Sequence, residues 1–418
     1  MVHRRPTMLV WTPIYPWPGN PSEGIFVHRQ VLNLQRLGHR VRVINFHPAV
    51  PRLPHQFVTA SWLRYHPRWI TWPGLQDGVQ VDHVFYAQPV RGRSDAIIDA
   101  TEAVSRHIDR TGTYHDTDLV YAHWLWKGGA VALELRARYG WPTAAIARGS
   151  EMHRWQSDHP HCRPYVDRVL CDADLVLANC NALRESAASQ SISNSGRIRV
   201  AYNGCNPVLF RPATDRAAVR LALGFAENRK YFVCCATIAE HKGIRDLARA
   251  WRKFAVGHPA WRLLVLGPFA QRALATSFQD LAGNNARLLG QVASTDVVRY
   301  LQAADAYVQP SRLEGLSNAT MEAMATALPV VTTDAGGQVE LVRDGLEVWL
   351  VPAEDPDALA RAMAALASDP AEALRRGAAA RRSIVERFDA MHETEKLSNL
   401  LTDLHTSSVL TSARRFEA

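Results

Sequence analysis

The chain has 418 residues, 47% of them hydrophobic and 21% charged, with a formal net charge of +8. That is the mixture of a packed globular protein at a length suiting two or three domains of ~100–200 residues, and it excludes intrinsic disorder and fibrous architecture. Six cysteines without a Cys-x-x-Cys pair exclude a disulfide scaffold and a structural zinc site and point to a reducing cytoplasm.

Pro6 to Ser22 is the longest uncharged window, but Pro13, Pro16, Pro18 and Pro21 interrupt it and it falls short of the ~20 apolar residues of a membrane span. No transmembrane helix or signal peptide is expected. Strands are predicted at Met8 to Trp11, Arg40 to Phe46, Val79 to Phe85, Leu119 to Ala122, Thr143 to Ala147, Leu175 to Ala178 and Ile198 to Ala201. Helical patterns lie between them at Gly24 to Leu37, Ser94 to Asp109, Gly128 to Arg138 and Asn181 to Ala188. Strands alternating with helices imply parallel sheet built from βαβ units.

No acidic residue occurs between Gly24 and Gln76, where seven arginines and five histidines do, and Trp62, Trp69 and Trp72 interleave with Arg64 and Arg68. Such a stretch fits a solvated surface, a sugar groove or a peripheral contact with phosphates at a membrane. Nucleic-acid binding would rest on this stretch alone and is ranked last, so no nucleic-acid partner is expected.

The small-polar stretch Ser186 to Gly196, the strand after it, and then Asn203, Gly204, Pro207 and Pro212 form the best linker candidate. The alternation then restarts with strands at Tyr231 to Ala236, Arg262 to Leu266, Ala286 to Leu289, Ala306 to Gln309 and Pro329 to Thr333, and Asp355 to Leu401 reads as helices. The fold class is therefore α/β, with two doubly wound domains in tandem and a ligand site at the carboxyl ends of the strands, shared across an interdomain cleft. The division expected is 1–205, 206–385, and a C-terminal helix 386–418 packing back on the first domain.

The densest motif runs from Pro310 to Met324. A strand ends at Gln309, a loop carries Glu314 and Gly315, and a helix capped by Asn318 carries Glu322 one turn in. A helix N-terminus behind a glycine loop suits phosphate or pyrophosphate. Glu314 and Glu322, seven residues apart and followed by Ala323, Met324 and Ala325, resemble the E-x7-E motif of retaining glycosyltransferase family 4, whose fold is GT-B, two Rossmann-like domains.

The resemblance extends over nearly the whole chain. Cys235 to Gly243 resembles the family's apolar strand and Lys-Gly pair, and Asn203 to Pro212 its N-G-x-D-x3-F-x-P junction. Gly24 with Leu37 to Val43 resembles its glycine loop and following strand, and Leu119 to His123 the strand ending in its active-site histidine.

By that resemblance, Glu322 binds the ribose hydroxyls, Lys242 the diphosphate and Glu314 the donor sugar. The amides of Gly315, Leu316 and Ser317 hold the β-phosphate and sugar. His123 contacts the sugar near the reacting carbon and Gly24 lies against the diphosphate; Asn203 counts among the substrate-binding residues, and Arg148 either puts a cation near the donor or alters acceptor contacts. Arg148, Gly149, Ser150 and Glu151 replace the family's H-G-x-D, Asn206 its junction aspartate, and Ala236 with Thr237 the cationic pair before the lysine.

The resemblance implies a retaining, metal-independent glycosyltransferase with no cofactor. A nucleoside-diphosphate sugar is the donor and a lipid-linked or polysaccharide glycan the acceptor, in the cytoplasm at the inner face of a membrane. A sugar-nucleotide epimerase of the same fold and a non-catalytic nucleotide-sugar scaffold remain as alternatives. The metal-dependent class needs an Asp-x-Asp turn, which the chain holds at Asp116, Asp172 and Asp355 without the rest of such a site.

Overall fold

In the computed structural model the described residues are 5–17, 20–49, 75–87, 96–153, 160–190 and 195–416, and they divide into two units. Residues 1–201 with 394–418 form the first unit and 202–393 the second. The chain passes from one to the other at Ala201 and Tyr202, where the sequence suggested 205 and 206, and returns at Thr394 where it suggested 386.

The first unit is built on an eight-stranded sheet of order β3-β4-β2-β1-β5-β6-β7-β8. Its strands are β1 Met8–Thr12, β2 Val41–Ala49, β3 Leu75–Gln76, β4 Val79–Ala87, β5 Leu119–His123, β6 Thr143–Ala147, β7 Leu175–Ala178 and β8 Ile198–Val200. Every residue of β1, β5, β6 and β7 is buried, as continuous apolar strands covered on both faces must be. Pairing is parallel except at β3, which turns back on β4 through Asp77 (φ +50°) and Gly78 (φ +81°). A two-residue turn with both central residues at positive φ matches strand twist, and the short β3 lay below the reach of periodicity.

The small-polar stretch Ser186 to Gly196 does not separate the units. It contains the end of helix Asn181–Gln190 and the turn Ser195–Arg197 before β8, and β8 pairs with β7 in the first unit's sheet. That unit's core gathers Met8, Val10, Val27, Val31, Val43, Leu119, Tyr121 and Ile146, and the last helix, Ala390–Phe416, adds Leu397 and Leu401. Ser398 Oγ, on the same helix, accepts from Arg5 Nη1 at 2.6 Å and hydrogen-bonds His39 Nε2 at 2.7 Å.

The second unit has six parallel strands in the order β11-β10-β9-β12-β13-β14. These are β9 Lys230–Cys235, β10 Trp261–Leu266, β11 Ala286–Gly290, β12 Ala306–Gln309, β13 Val330–Thr333 and β14 Trp349–Val351. The helix Ile244–Gly257 buries the predicted face Ile244, Leu247, Ala248, Trp251 and Phe254 against Phe232 and Val265.

In both sheets the strand order reverses beside the first strand, between β1 and β5 and between β9 and β12. Such a switch point splays the following loops apart and leaves a crevice at the carboxyl ends. None of the helices among the described residues is long and apolar enough to cross a membrane. The proposed membrane-facing residues Arg52, Trp62, Arg64, Arg68, Trp69 and Trp72 lie outside the described residues.

Candidate active site

In the second unit, the loops after β9 and β12 bring the sequence-predicted residues together. Lys242 Nζ donates to Glu314 Oε1 at 2.8 Å, with the lysine side chain 23% and the glutamate 9% exposed. Glu314 Oε1 also accepts from Ser311 Oγ at 2.7 Å and Gln309 Nε2 at 3.4 Å, and Gln309 is itself held by the Tyr307 hydroxyl at 2.5 Å. The carboxylate is thus held beside a cation by the last residue of β12 and by the loop that follows it.

Two glycines make this close approach feasible. Gly243 caps the helix Ile244–Gly257 at φ +64°, and a Cβ there would lie 1.8 Å from the carbonyl oxygen of Pro310. Gly336, at φ +53°, would put one 2.1 Å from the carbonyl oxygen of Glu314. Only glycine combines that backbone with that proximity.

The helix after the loop is Asn318–Ala325, and its N-cap is Ser317, not the predicted Asn318. Ser317 has extended backbone and its Oγ accepts from Thr320 N at 3.3 Å, whereas Asn318 is already helical and its Oδ1 accepts from Asn203 Nδ2 at 3.0 Å. The cap therefore stands one residue nearer the loop, and Asn203 is tied to the first helical residue. Leu316 is buried, which anchors the loop in the core while Gly315 stays half-buried. Glu322 is half-buried one turn in. Burial first, then Cys234 and the Glu322 charge, push the Cys235 thiol far above its ordinary range.

Arg312, in the same loop, does not replace the cation absent at Ala236 and Thr237. It forms a bidentate pair with Asp246, at 2.6 and 2.8 Å, and a third contact with Glu354 at 3.3 Å. Its charge is spent locking the loop onto the helix Ile244–Gly257. Periodicity gave no sign of this pair, since its partners lie 66 residues apart.

In the first unit, Gly24 begins the helix Ile25–Arg36 at φ +61°, where a Cβ would meet the Ile14 carbonyl oxygen at 2.6 Å. His123 ends β5 and is fully buried. Trp124 follows at φ +67° and opens a π-helix, Trp124–Gly129, where the sequence suggested α-helix beginning at Gly128. Gly128 packs so closely on His123 that a Cβ would lie 2.0 Å from the His123 carbonyl oxygen. Strained backbone and π-turns concentrate at functional positions.

Arg148, just after β6, reaches His123: its Nη2 lies 2.8 Å from His123 Nδ1 and 3.4 Å from Gln30 Oε1. Burial, then the neighbouring Arg148 charge, hold His123 well below the usual imidazole range. Glu151, wholly buried, accepts from Arg148 N at 2.8 Å and Leu125 N at 3.4 Å, so it ties the ends of β5 and β6 together. Gln30 and Tyr121, hydrogen-bonded at 3.1 Å, complete this cluster, and sequence reasoning missed both.

The Asp-x-Asp pairs have other work. Asp116 binds Arg42 at 2.5 Å, Asp118 accepts from Thr7 N, Asp174 from Thr143 N, and Asp355 caps the helix Pro356–Ser368.

Residues 24–209 match the family model Glycosyltransferase Family 4, and residues 229–369 match Glycosyl transferases group 1. The chain is 28% identical over 334 residues to D-inositol 3-phosphate glycosyltransferase of Streptomyces avermitilis, covering 74% of this chain and 71% of that one. It is 26% identical over 369 residues to the putative teichuronic acid biosynthesis glycosyltransferase TuaC of Bacillus subtilis, covering 85% and 88%. Among solved structures, Alr3699/HepE of Anabaena in complex with UDP-glucose superposes with a TM-score of 0.73 at 18% identity, covering 95% of this chain and 99% of that one. With two doubly wound units, each holding charged and glycine positions at its switch point, and with both matched models, the chain belongs to the group 1 glycosyltransferases of GT-B fold.

Proposed function

We infer that the protein is a retaining, metal-independent glycosyltransferase that moves a sugar from a nucleoside-diphosphate sugar to a hydroxyl of a lipid-linked or polysaccharide glycan. The observation that carries this reading is the Lys242–Glu314 pair at 2.8 Å, set before a serine-capped helix N-terminus at the β9/β12 switch point.

In this reading the donor diphosphate takes Lys242 and the amides of Gly315 to Ser317, and Glu314, released from the lysine, accepts from a sugar hydroxyl. Glu322 accepts from the ribose. The bond between the anomeric carbon and the diphosphate oxygen breaks as the acceptor oxygen attacks from the same face, and the acceptor proton passes to the departing phosphate. Lys242 and the helix N-terminus offset the charge that develops, which is the work a divalent ion does elsewhere.

The similarity to proteins named for inositol phosphate and teichuronic acid glycosylation supports a phosphate-bearing or cell-envelope acceptor, and the likeness to a UDP-glucose complex supports including uridine donors. The basic stretch with Arg52, Arg64 and Arg68 would meet anionic lipid from the cytoplasmic side. Ala236 and Thr237 favour a second reading, nucleotide-sugar binding without turnover.

The test is calorimetric titration of the chain with UDP, GDP and ADP in the presence of a chelator. Binding of one nucleotide, lost in Glu322→Ala, is expected. No binding of any of the three would overturn the donor site, and binding without transfer to any acceptor would leave the second reading standing.

A further inference from the structure

We propose that Arg148 is a positioning residue that holds His123 in its neutral Nε2–H tautomer, so that the buried ring offers a hydrogen-bond donor and not a base at the end of β5. The inference rests on the glycosyltransferase reading of the site for its use, and on geometry alone for the tautomer.

A guanidinium has donors only and stays protonated in proteins. The His123 nitrogen that Arg148 Nη2 approaches at 2.8 Å must therefore present its lone pair, which leaves the ring proton on Nε2. His123 is fully buried, and its Nε2 has no hydrogen-bond partner among the described residues. A buried N–H left without an acceptor is costly, and its retention at a strand end marks a group awaiting one.

Among the described residues, the groups facing the ring come from three packed elements. Arg148 comes from the end of β6 with Glu151 behind it; Tyr121 lies beside the ring on β5 at 4.6 Å between centroids; the Trp124 ring stands at 6.3 Å. Gln30, from the helix Ile25–Arg36, holds the same guanidinium nitrogen at 3.4 Å. The Phe26 ring, on the same helix, lies 5.1 Å beneath the guanidinium carbon. The guanidinium thus meets a ring face, an amide oxygen and the imidazole, while Glu151 clamps the Arg148 backbone.

A cation pressed on Nδ1 makes a second positive charge on that ring unfavourable, and desolvation acts in the same direction. His123 then cannot take the acceptor's proton. It can donate from Nε2 to a sugar hydroxyl or ring oxygen beside the reacting carbon, which assigns the proton to the leaving diphosphate.

The test is a long-range proton–nitrogen spectrum of the full chain labelled at histidine, with His123 identified by the signals lost in His123→Gln. The expected result is an unprotonated Nδ1 and a protonated Nε2 throughout about pH 5 to 8. In Arg148→Met the ring midpoint should rise by ~1 unit or more, helped by the Glu151 carboxylate left behind, and transfer should gain an acid limb with kcat falling ~10-fold and KM for the donor little changed. Arg148→Lys, which keeps the cation, should hold the midpoint low. A wild-type ring protonated on Nδ1, or titrating near the ordinary value, overturns the proposal without need of any variant. An Arg148→Met ring that titrates as the wild type does so too. If the tautomer is as stated but no sugar nucleotide is used, the tautomer holds and the transferase chemistry fails by itself.

Discussion

Replacing Gly243 by alanine tests whether the two loops of the second unit are held together by the absence of a single methyl group. A Cβ at Gly243 would sit 1.8 Å from the Pro310 carbonyl oxygen, whereas carbon–oxygen contacts begin near ~3.3 Å, so one loop must retreat by about 1.5 Å. The backbone penalty can be measured separately at Gly224, which has φ +69° in the same unit and no atom within 4 Å of its would-be Cβ. Left-handed backbone costs alanine ~1–2 kcal/mol, and forcing a group into a filled site adds ~1–3 kcal/mol. Gly224→Ala should therefore lose about 1 kcal/mol and Gly243→Ala about 3 kcal/mol. For a unit of this size, at ~2–4 °C per kcal/mol, that is a fall of ~3 °C against ~9 °C in the scanning calorimetry of the full chain.

Nucleotide titration supplies the second readout. Lys242 precedes Gly243, and Pro310 opens the loop that carries Glu314, so a retreat of either parts the ion pair and weakens binding in Gly243→Ala alone. Equal losses of stability at the two glycines, or unchanged nucleotide affinity in Gly243→Ala, would refute the reasoning.

Further expectations concern the same units. Glu322→Ala should weaken nucleotide binding with little loss of turnover, while Glu314→Ala and His123→Ala should lower kcat ~10²-fold or more with smaller changes in KM; steady-state kinetics that show equal loss of both parameters in all three would undo these roles. Ser317→Ala removes the N-cap hydrogen bond and should cost about 1 kcal/mol by denaturant unfolding, together with weaker diphosphate binding; an unchanged midpoint would contradict the cap. Changing Arg52, Arg64 and Arg68 to serine should reduce binding to anionic vesicles, and a sedimentation assay showing no change would remove the membrane reading.

The pH dependence of the first unit should come partly from His47 and His83, whose rings stack with Nε2 and Nδ1 3.0 Å apart. Burial lowers His47 to about 3 and His83 to about 4, against ~6.5 in the unfolded chain. The unfolded state then binds more protons between those values, so stability is intact above pH ~6.5 and falls as pH drops toward 4. His47→Phe should flatten that decline in melts recorded across the range; an unaltered slope would place the titrating groups elsewhere.

The strands were legible because both sheets are almost wholly parallel and covered: β6, β7 and β12 are short, mostly apolar and continuously buried runs and match the sequence reading residue for residue. The spacing of Glu314 and Glu322 and the glycine beside Lys242 likewise pointed to the loops that bring Lys242 and Glu314 together. What escaped was set by contacts across the chain. The hairpin strand Leu75–Gln76 and the edge strand Trp349–Val351 are two and three residues long and exist through pairing, not pattern. The π-turn after His123 follows from Gly128 closing on a carbonyl, which no hydrophobic period encodes. The cap moved from Asn318 to Ser317 because two good capping residues stand side by side, and the pull of Asn203 decides between them. Arg148 was visible as a departure from a motif, but its engagement with His123 and Gln30 needed three elements placed together.

The last helix has a consequence for synthesis. Leu397 and Leu401 belong to the first unit's core, yet they are made only after residues 202–393, the whole of the second unit, have been synthesised. At ~5–20 residues per second the second unit has been synthesised ~10–40 s after Ala201, while the first still lacks the two leucines that share its core cluster with Val31 and Leu34. The unit translated first is thus the one finished last, and during that interval the nascent chain offers apolar surface that chaperones would have to shield.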